Sequence, residues 1–184
     1  MAPSNGSLVT GECFAFPLWL WHDAPAMSVK GEQEFSVEIS APVAVCFDVI
    51  TSFERYPEWF SGINSATVLE RYENGLGKIV EFGLDMMLKR IRYVLEYSYK
   101  PPTRLDWHSV DGDIESIVGH YDLQPISKAK TRATCRQAVS VGFWVPGALK
   151  KILEQSALRQ SVLEFKAAAE AAYATKPAKK PKRA

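Results

Sequence analysis

The groups in this 184-residue chain able to do acid–base, nucleophilic or metal chemistry are few and scattered. Three histidines (His22, His108, His120) and three cysteines (Cys13, Cys46, Cys135) are widely separated, with no C-x-x-C pair and no metal-ligand spacing. A disulfide framework and a zinc site are therefore not expected, and a reducing cytoplasm is the expected compartment. Acid–base catalysis would need a tuned pair aimed at one cavity. His108 follows Trp107 and His120 precedes Tyr121. Strand side chains alternate, so histidines and neighbouring aromatics face opposite ways. Arg92 and Glu96 stand opposite in parity to Tyr93 and Tyr97, and Arg136 opposite to Cys135. Gly75-Leu-Gly-Lys78 lacks the spacing of a phosphate loop and reads as a hairpin turn. The polar groups left on the inward parity are Gln137 and the hydroxyls of Tyr93, Tyr97, Tyr99 and Tyr121. Each is either a satisfied core group or a contact for a ligand, since an unpartnered buried amide costs about 1–3 kcal/mol.

The elements that must position these groups are legible from patterning. "EFSVEIS" (34–40) alternates Phe35, Val37 and Ile39 against polar residues, a half-buried strand. Ser40 is the expected N-cap, with Pro42 in the first turn of a short helix that aligns Val43, Cys46, Phe47 and Ile50. In "FERYPEWF" (53–60), Pro57 starts a second short helix through Trp59 and Phe60, with Gly62 ending it. Turn signals then recur at hairpin spacing: Asn74-Gly75, Pro101-Pro102, Asp111-Gly112 and the loop "QPISKAKT". Six alternating runs lie between them, beginning near Ala66, Lys78, Lys89, Arg104, Ile114 and Thr131, the last reaching Trp144. Short connections make the sheet antiparallel. Val80, Phe82, Leu84 and Met86 share one face, continued by Ile91, Tyr93, Leu95, Tyr97 and Tyr99, then Leu105 and Trp107, then Ile117, Tyr121 and Leu123. A long helix follows Pro146, with an expected stripe of Leu149, Ile152, Leu153, Ser156, Gln160 and Leu163.

Composition bounds the class. Hydrophobic residues make up 47% and charged residues 23%, as in an ordinary soluble globule. Five of the 22 basic residues fall in the last nine positions and none in the first 26, so residues 27–175 hold 17 basic against 19 acidic side chains. Such a body is not a nucleic-acid platform. The expected organisation is a flexible extension (1–32), one domain (33–173) and a disordered basic tail (174–184). The apolar "CFAFPLWLW" lacks a preceding positive charge, is too short to span a bilayer and is interrupted by Pro17. No stable membrane insertion is expected, an interfacial anchor being the lesser reading. Met27, just before the first alternation, is a candidate translation start.

This order of one strand, two short helices, six strands and a long helix resembles the helix-grip architecture of the START/SRPBCC superfamily. The local motifs agree: "FDVITSFERYPEWFSGINSATVLE" (47–70), "IVGHYDLQP" (117–125) and "PGALKKILEQSALRQSVLEFK" (146–166). Residues 33–172 carry the likeness, nearest to the polyketide cyclase/dehydrase-like set related to coenzyme-Q-binding START-type proteins. The resemblance implies an α+β fold: a curved antiparallel seven-stranded sheet wrapped around the C-terminal helix, enclosing an apolar cavity whose mouth lies near the short helices. Trp59 and Phe60 are then expected as a lid and Tyr56 as a hinge-side contact.

The expected function is binding of a small hydrophobic ligand (a polyketide, quinone or lipid) as a carrier or sequestering protein, without cofactor or metal. The expected lining is Trp59, Phe60, Phe82, Tyr93, Tyr97, Trp107, Tyr121 and Leu153, with Gln137 orienting the ligand. The alternative is an aromatase/cyclase or dehydratase in the same cavity, marked by an inward acid/base pair. A third class is a partner-binding module in which the cavity serves stability alone. No catalytic residue is assigned.

Overall fold

The structure, a computed structural model, describes residues 31–86, 89–140 and 147–175, and their side chains except at 86, 89 and 147–155. The expectations placed on the N-terminal extension up to residue 30, on Met27 as a start, on the run-out of the last strand to Trp144 and on the tail from 176 lie outside the described residues.

Among the described residues, seven strands and three helices follow in the order β1 (Gln33–Ile39), α1 (Val43–Thr51), a 3-10 turn (Phe53–Arg55), α2 (Tyr56–Trp59), β2 (Ser65–Arg71), β3 (Gly77–Met86), β4 (Lys89–Lys100), β5 (Arg104–Gly112), β6 (Ser116–Ser127), β7 (Lys130–Ser140) and α3 (Gly147–Thr175). The sheet order is β1-β7-β6-β5-β4-β3-β2, every neighbouring pair antiparallel. Six strands are joined hairpin to hairpin. Only β1 travels, crossing by way of the short helices to pair with β7, and α3 lies against β1, α1 and β7. This is the helix-grip α+β fold expected from the sequence.

The registers verify the inward parity. Val80 faces Leu95, Phe82 faces Tyr93, Tyr97 faces Trp107, Leu105 faces Tyr121, and Leu123 faces Ala133. All ten belong to the core or pack against it. A bulge at Val110, between the partners of Val94 and Leu95, resets the phase of β5 against β4 and lets Gly112 lie across from Tyr93.

Two expectations are corrected. Ser40 does not cap α1: the N-cap is Pro42, with extended backbone and no side-chain cap bond. The amide of Ser40 instead donates to Glu170 Oε1 at 2.7 Å, tying the end of β1 to α3. The stripe on α3 is also differently phased. Leu158, Val162, Phe165 and Ala169 are buried, whereas Ser156 and Gln160 are exposed and Leu163 is 39% exposed. Spacings of four, three and four residues keep that set on one face, and the aromatic ring of Phe165 decides which face turns to the sheet.

Candidate functional site

"FERYPEWF" forms one end of the grip. Phe53 is fully buried, its ring 4.5 Å from Tyr97 and 6.1 Å from Phe82. Gly77 makes room for it: a β-carbon there would come within 3.0 Å of the Phe53 ring. The proline enters α2 in its first turn, where no intrahelical N–H is needed. Tyr56 turns inward and its hydroxyl donates to the carbonyl of Ile50 at 2.7 Å, fastening α2 to the end of α1. Trp59 and Phe60 stack at 5.8 Å and stay half-buried above Tyr56. Ser61 closes the segment onto α3, its hydroxyl donating to Glu164 Oε1 at 2.6 Å and its amide to Oε2 at 3.1 Å.

Behind this end runs a continuous aromatic wall. Phe82 stacks on Tyr93 at 5.4 Å, and Tyr97 meets Trp107 at 6.2 Å. Trp107 meets Tyr121 at 5.8 Å, and Tyr121 meets Phe165 of α3 at 5.4 Å. Phe165 lies 6.2 Å from Trp59, which closes the circuit from sheet to helix to the α2 end. Trp107 lies flat over Gly119, where a β-carbon would stand 2.7 Å from the indole and 2.5 Å from the Arg136 carbonyl.

The tyrosines of this wall divide by what their hydroxyls do. Tyr56 donates to Ile50, Tyr72 to the Tyr97 carbonyl at 2.9 Å, and Tyr99 to the Gly77 carbonyl. Tyr93 and Tyr97 have no hydrogen-bond acceptor among the described residues, and Tyr121 faces only the thiol of Cys135, its cross-strand neighbour. Among the described residues, the one sealed side-chain polar atom without a hydrogen-bond partner is Nε2 of His120. Burial drives the phenols of Tyr97 and Tyr121 well above their ordinary range, with the neighbouring tyrosines and Cys135 adding to the shift. Burial likewise raises Tyr93 and the Cys135 thiol. All four therefore stay protonated at neutral pH.

Of the expected lining, Phe82, Tyr97, Trp107 and Tyr121 lie in the buried core, with Trp59, Phe60 and Tyr93 partly buried against it. Gln137 is half-buried and lies in register with Gly119 and Gln33. Leu153 belongs to α3, but its side chain lies outside the described residues. Sequence reasoning missed Phe53 and Phe165, which bridge the wall. Phe53 had a signal in its place within the aromatic octet, and Phe165 in being one of the two aromatics of α3, the other being Tyr173 near its end.

The opposite face of the sheet is charged. Arg92 bridges Glu81 at 2.6 Å and Asp111 at 2.8 Å, and Arg104 bridges Asp106 and Asp122 at 2.6 and 2.8 Å. Glu38 joins Lys130 and Arg132, which hold its carboxyl below the usual range. Both described histidines lie on this face. His108 is exposed near Glu96, while His120 is 7% exposed, its Nε2 3.4 Å from Asp122. Burial first, and the positive charge of Arg104 second, push the His120 imidazole below its ordinary pKa. Among the described residues no group of three His, Cys, Asp or Glu is placed to hold a metal ion, and no helix is long and apolar enough to cross a membrane.

No curated protein matches the sequence. Among solved structures, a START superfamily protein from Mycobacterium smegmatis is similar at a TM-score of 0.70 and 19% identity, over 76% of this chain and 97% of that one. A Thermus thermophilus protein is similar at a TM-score of 0.66 and 18% identity, over 80% and 99%. The Zhui aromatase/cyclase from Streptomyces sp. R1128 is similar at 0.63 and 15% identity, over 77% and 92%. These likenesses carry the fold. The model of the family described as polyketide cyclase / dehydrase and lipid transport matches residues 39–166, from the last residue of β1 to the middle of α3, and the chain belongs to that family.

Proposed function

We propose that this protein binds a small hydrophobic molecule between the concave face of the sheet and α3, and carries or sequesters it without transforming it. The observation that carries this reading is the aromatic circuit from Trp59 through Phe82, Tyr97, Trp107 and Tyr121 to Phe165, with free hydroxyls along it. Apolar burial at about 25 cal/mol per Å² supplies the affinity. Trp59 and Phe60 form the door, fastened on either side by the Tyr56 and Ser61 hydrogen bonds. Gln137, on the same face, is a second point of orientation for the ligand.

Family membership supports a ligand-binding fold and is shared by carriers and enzymes. The carrier reading is favoured over a cyclase or dehydratase by the chemistry of the concave face. Its described titratable groups are phenols and thiols held protonated, while both described histidines lie on the other face. A general base there would have to ionise against its surroundings.

Native mass spectrometry of the protein purified from its own host tests the reading. A non-covalent apolar mass, released on denaturation, is the expected result. Protein that arrives empty and takes up no apolar probe from solution would overturn it.

A further inference from the structure

The stretch that carries Trp59 and Phe60 hangs between two fixed points. On one side Tyr56 is buried and donates to the Ile50 carbonyl. On the other Ile63 is buried, and the Asn64 amide donates to the Gly83 carbonyl at 2.9 Å. Between them Pro57, Glu58, Ser61 and Gly62 are exposed, and Trp59 and Phe60 are half-buried. Among the described residues, the polar bonds from this stretch to α3 all come from Ser61. Its hydroxyl donates to Glu164 Oε1 at 2.6 Å and its amide to Oε2 at 3.1 Å, so both carboxylate oxygens hold one residue. Gln160, one turn earlier on α3, donates to the same Oε1 at 2.8 Å and fixes the direction of the carboxylate. The ion pair of Arg55 with Glu58 stays within the segment. The remaining link is apolar: the Trp59 ring lies 6.2 Å from Phe165, the residue after Glu164.

On the strength of the binding reading, we infer that the Glu164 carboxylate is the latch of the site: it sets how fast a ligand enters and leaves past α2, and contributes little to how tightly the ligand is held. A hydrogen bond to a carboxylate is stronger than one between neutral groups. Two of them on one residue weigh heavily in a segment built on a single helical turn. The exposed Ser61 and the half-buried Glu164 stand outside the aromatic circuit, so the latch is made alike in the empty and the filled protein. A bond made equally in both states cancels from the affinity. It remains in the cost of opening, which limits exchange where a lid must move.

Stopped-flow fluorescence with N-phenyl-1-naphthylamine, an uncharged apolar probe that brightens out of water, reads both rates on the full chain. Ser61→Ala should raise the entry and release rates together, about ten-fold each, the worth of one hydrogen bond to a charged acceptor. Glu164→Ala, which also frees the Ser61 amide, should raise them further. Glu164→Gln keeps one acceptor oxygen and should fall between the wild type and Glu164→Ala. Added to Glu164→Ala, the Ser61→Ala change should do nothing more, because its partner is already gone. Arg55→Ala, just before α2, should leave both rates as they are. Faster release without faster entry would make these residues part of the ligand's seat and overturns the inference. Rates unmoved by either single variant, or effects that multiply in the double variant, overturn it as well. In each of those outcomes the probe still binds and the binding reading stands. A wild-type protein that takes up no probe overturns both.

Discussion

The two faces of one sheet are built from the same strands and obey opposite rules. On the concave face, neighbours across strands are aromatic rings 5–7 Å apart, and the polar side-chain atoms there include phenols, a thiol, an amide and the Thr131 hydroxyl. On the convex face the same strands carry ion pairs such as Arg136–Glu34 at 2.5 Å and Lys130–Glu38 at 2.6 Å. A one-residue step along β4 moves from Tyr97 to Glu96, and along β6 from Tyr121 to His120. The difference teaches where the folding energy resides. Rings removed from water contribute area-proportional stability and leave a shaped apolar surface. Exposed ion pairs contribute little, and keep that face in water.

Breaking the concave side should cost most. Phe165→Ala removes a fully buried ring that touches both Trp59 and Tyr121, and should destabilise the fold by about 3–5 kcal/mol in chemical denaturation. Gly119→Ala comes next. Its methyl would collide with the Trp107 indole and the Arg136 carbonyl, an overpacking expected to cost about 1–3 kcal/mol and to alter the Trp107 fluorescence maximum.

His120 tests the exception on the convex side. Its folded pKa is depressed, so the unfolded chain binds a proton that the folded one resists. Stability therefore rises with pH in this window. It is full above the unfolded value of about 6.5 and is lost as pH falls from there toward the lower folded value. The denaturation midpoint should drop between pH 7.5 and 5.5, and His120→Gln should reduce that drop; an unchanged drop would remove His120 as its source. Glu38→Gln, which breaks two exposed ion pairs, should move the midpoint least of all, and less in high salt than in low.

How much of this was legible follows the same division. The two-residue period placed Phe82, Tyr93, Tyr97, Trp107 and Tyr121 on one face because a register slip would expose them all together. The Tyr-Pro step inside the octet placed a helix start there, because proline fixes the backbone before any tertiary contact forms. The phase of α3 was not legible. Leu158, Val162, Leu163 and Phe165 are compatible with two stripes, and contact of Phe165 with Tyr121 and Trp59 selects one. Nor could spacing tell which tyrosine hydroxyls find an acceptor, since the carbonyls of Ile50 and Gly77 reach Tyr56 and Tyr99 only after the chain has folded back. The burial of His120 was hidden for a similar reason. Alternation puts it on the charged face, and Arg104, Asp106, Asp122 and Arg136 crowd around it there.

The most direct test of the central claim, that the concave aromatic face and not the convex one receives the ligand, is a nuclear Overhauser experiment on protein labelled in its aromatic rings and titrated with N-phenyl-1-naphthylamine. The account predicts contacts from the ligand to Tyr97, Trp107, Tyr121 and Phe165, with the rings of His108 and His120 silent. Contacts to the histidine rings, or a saturable complex that touches none of the four concave rings, would contradict it.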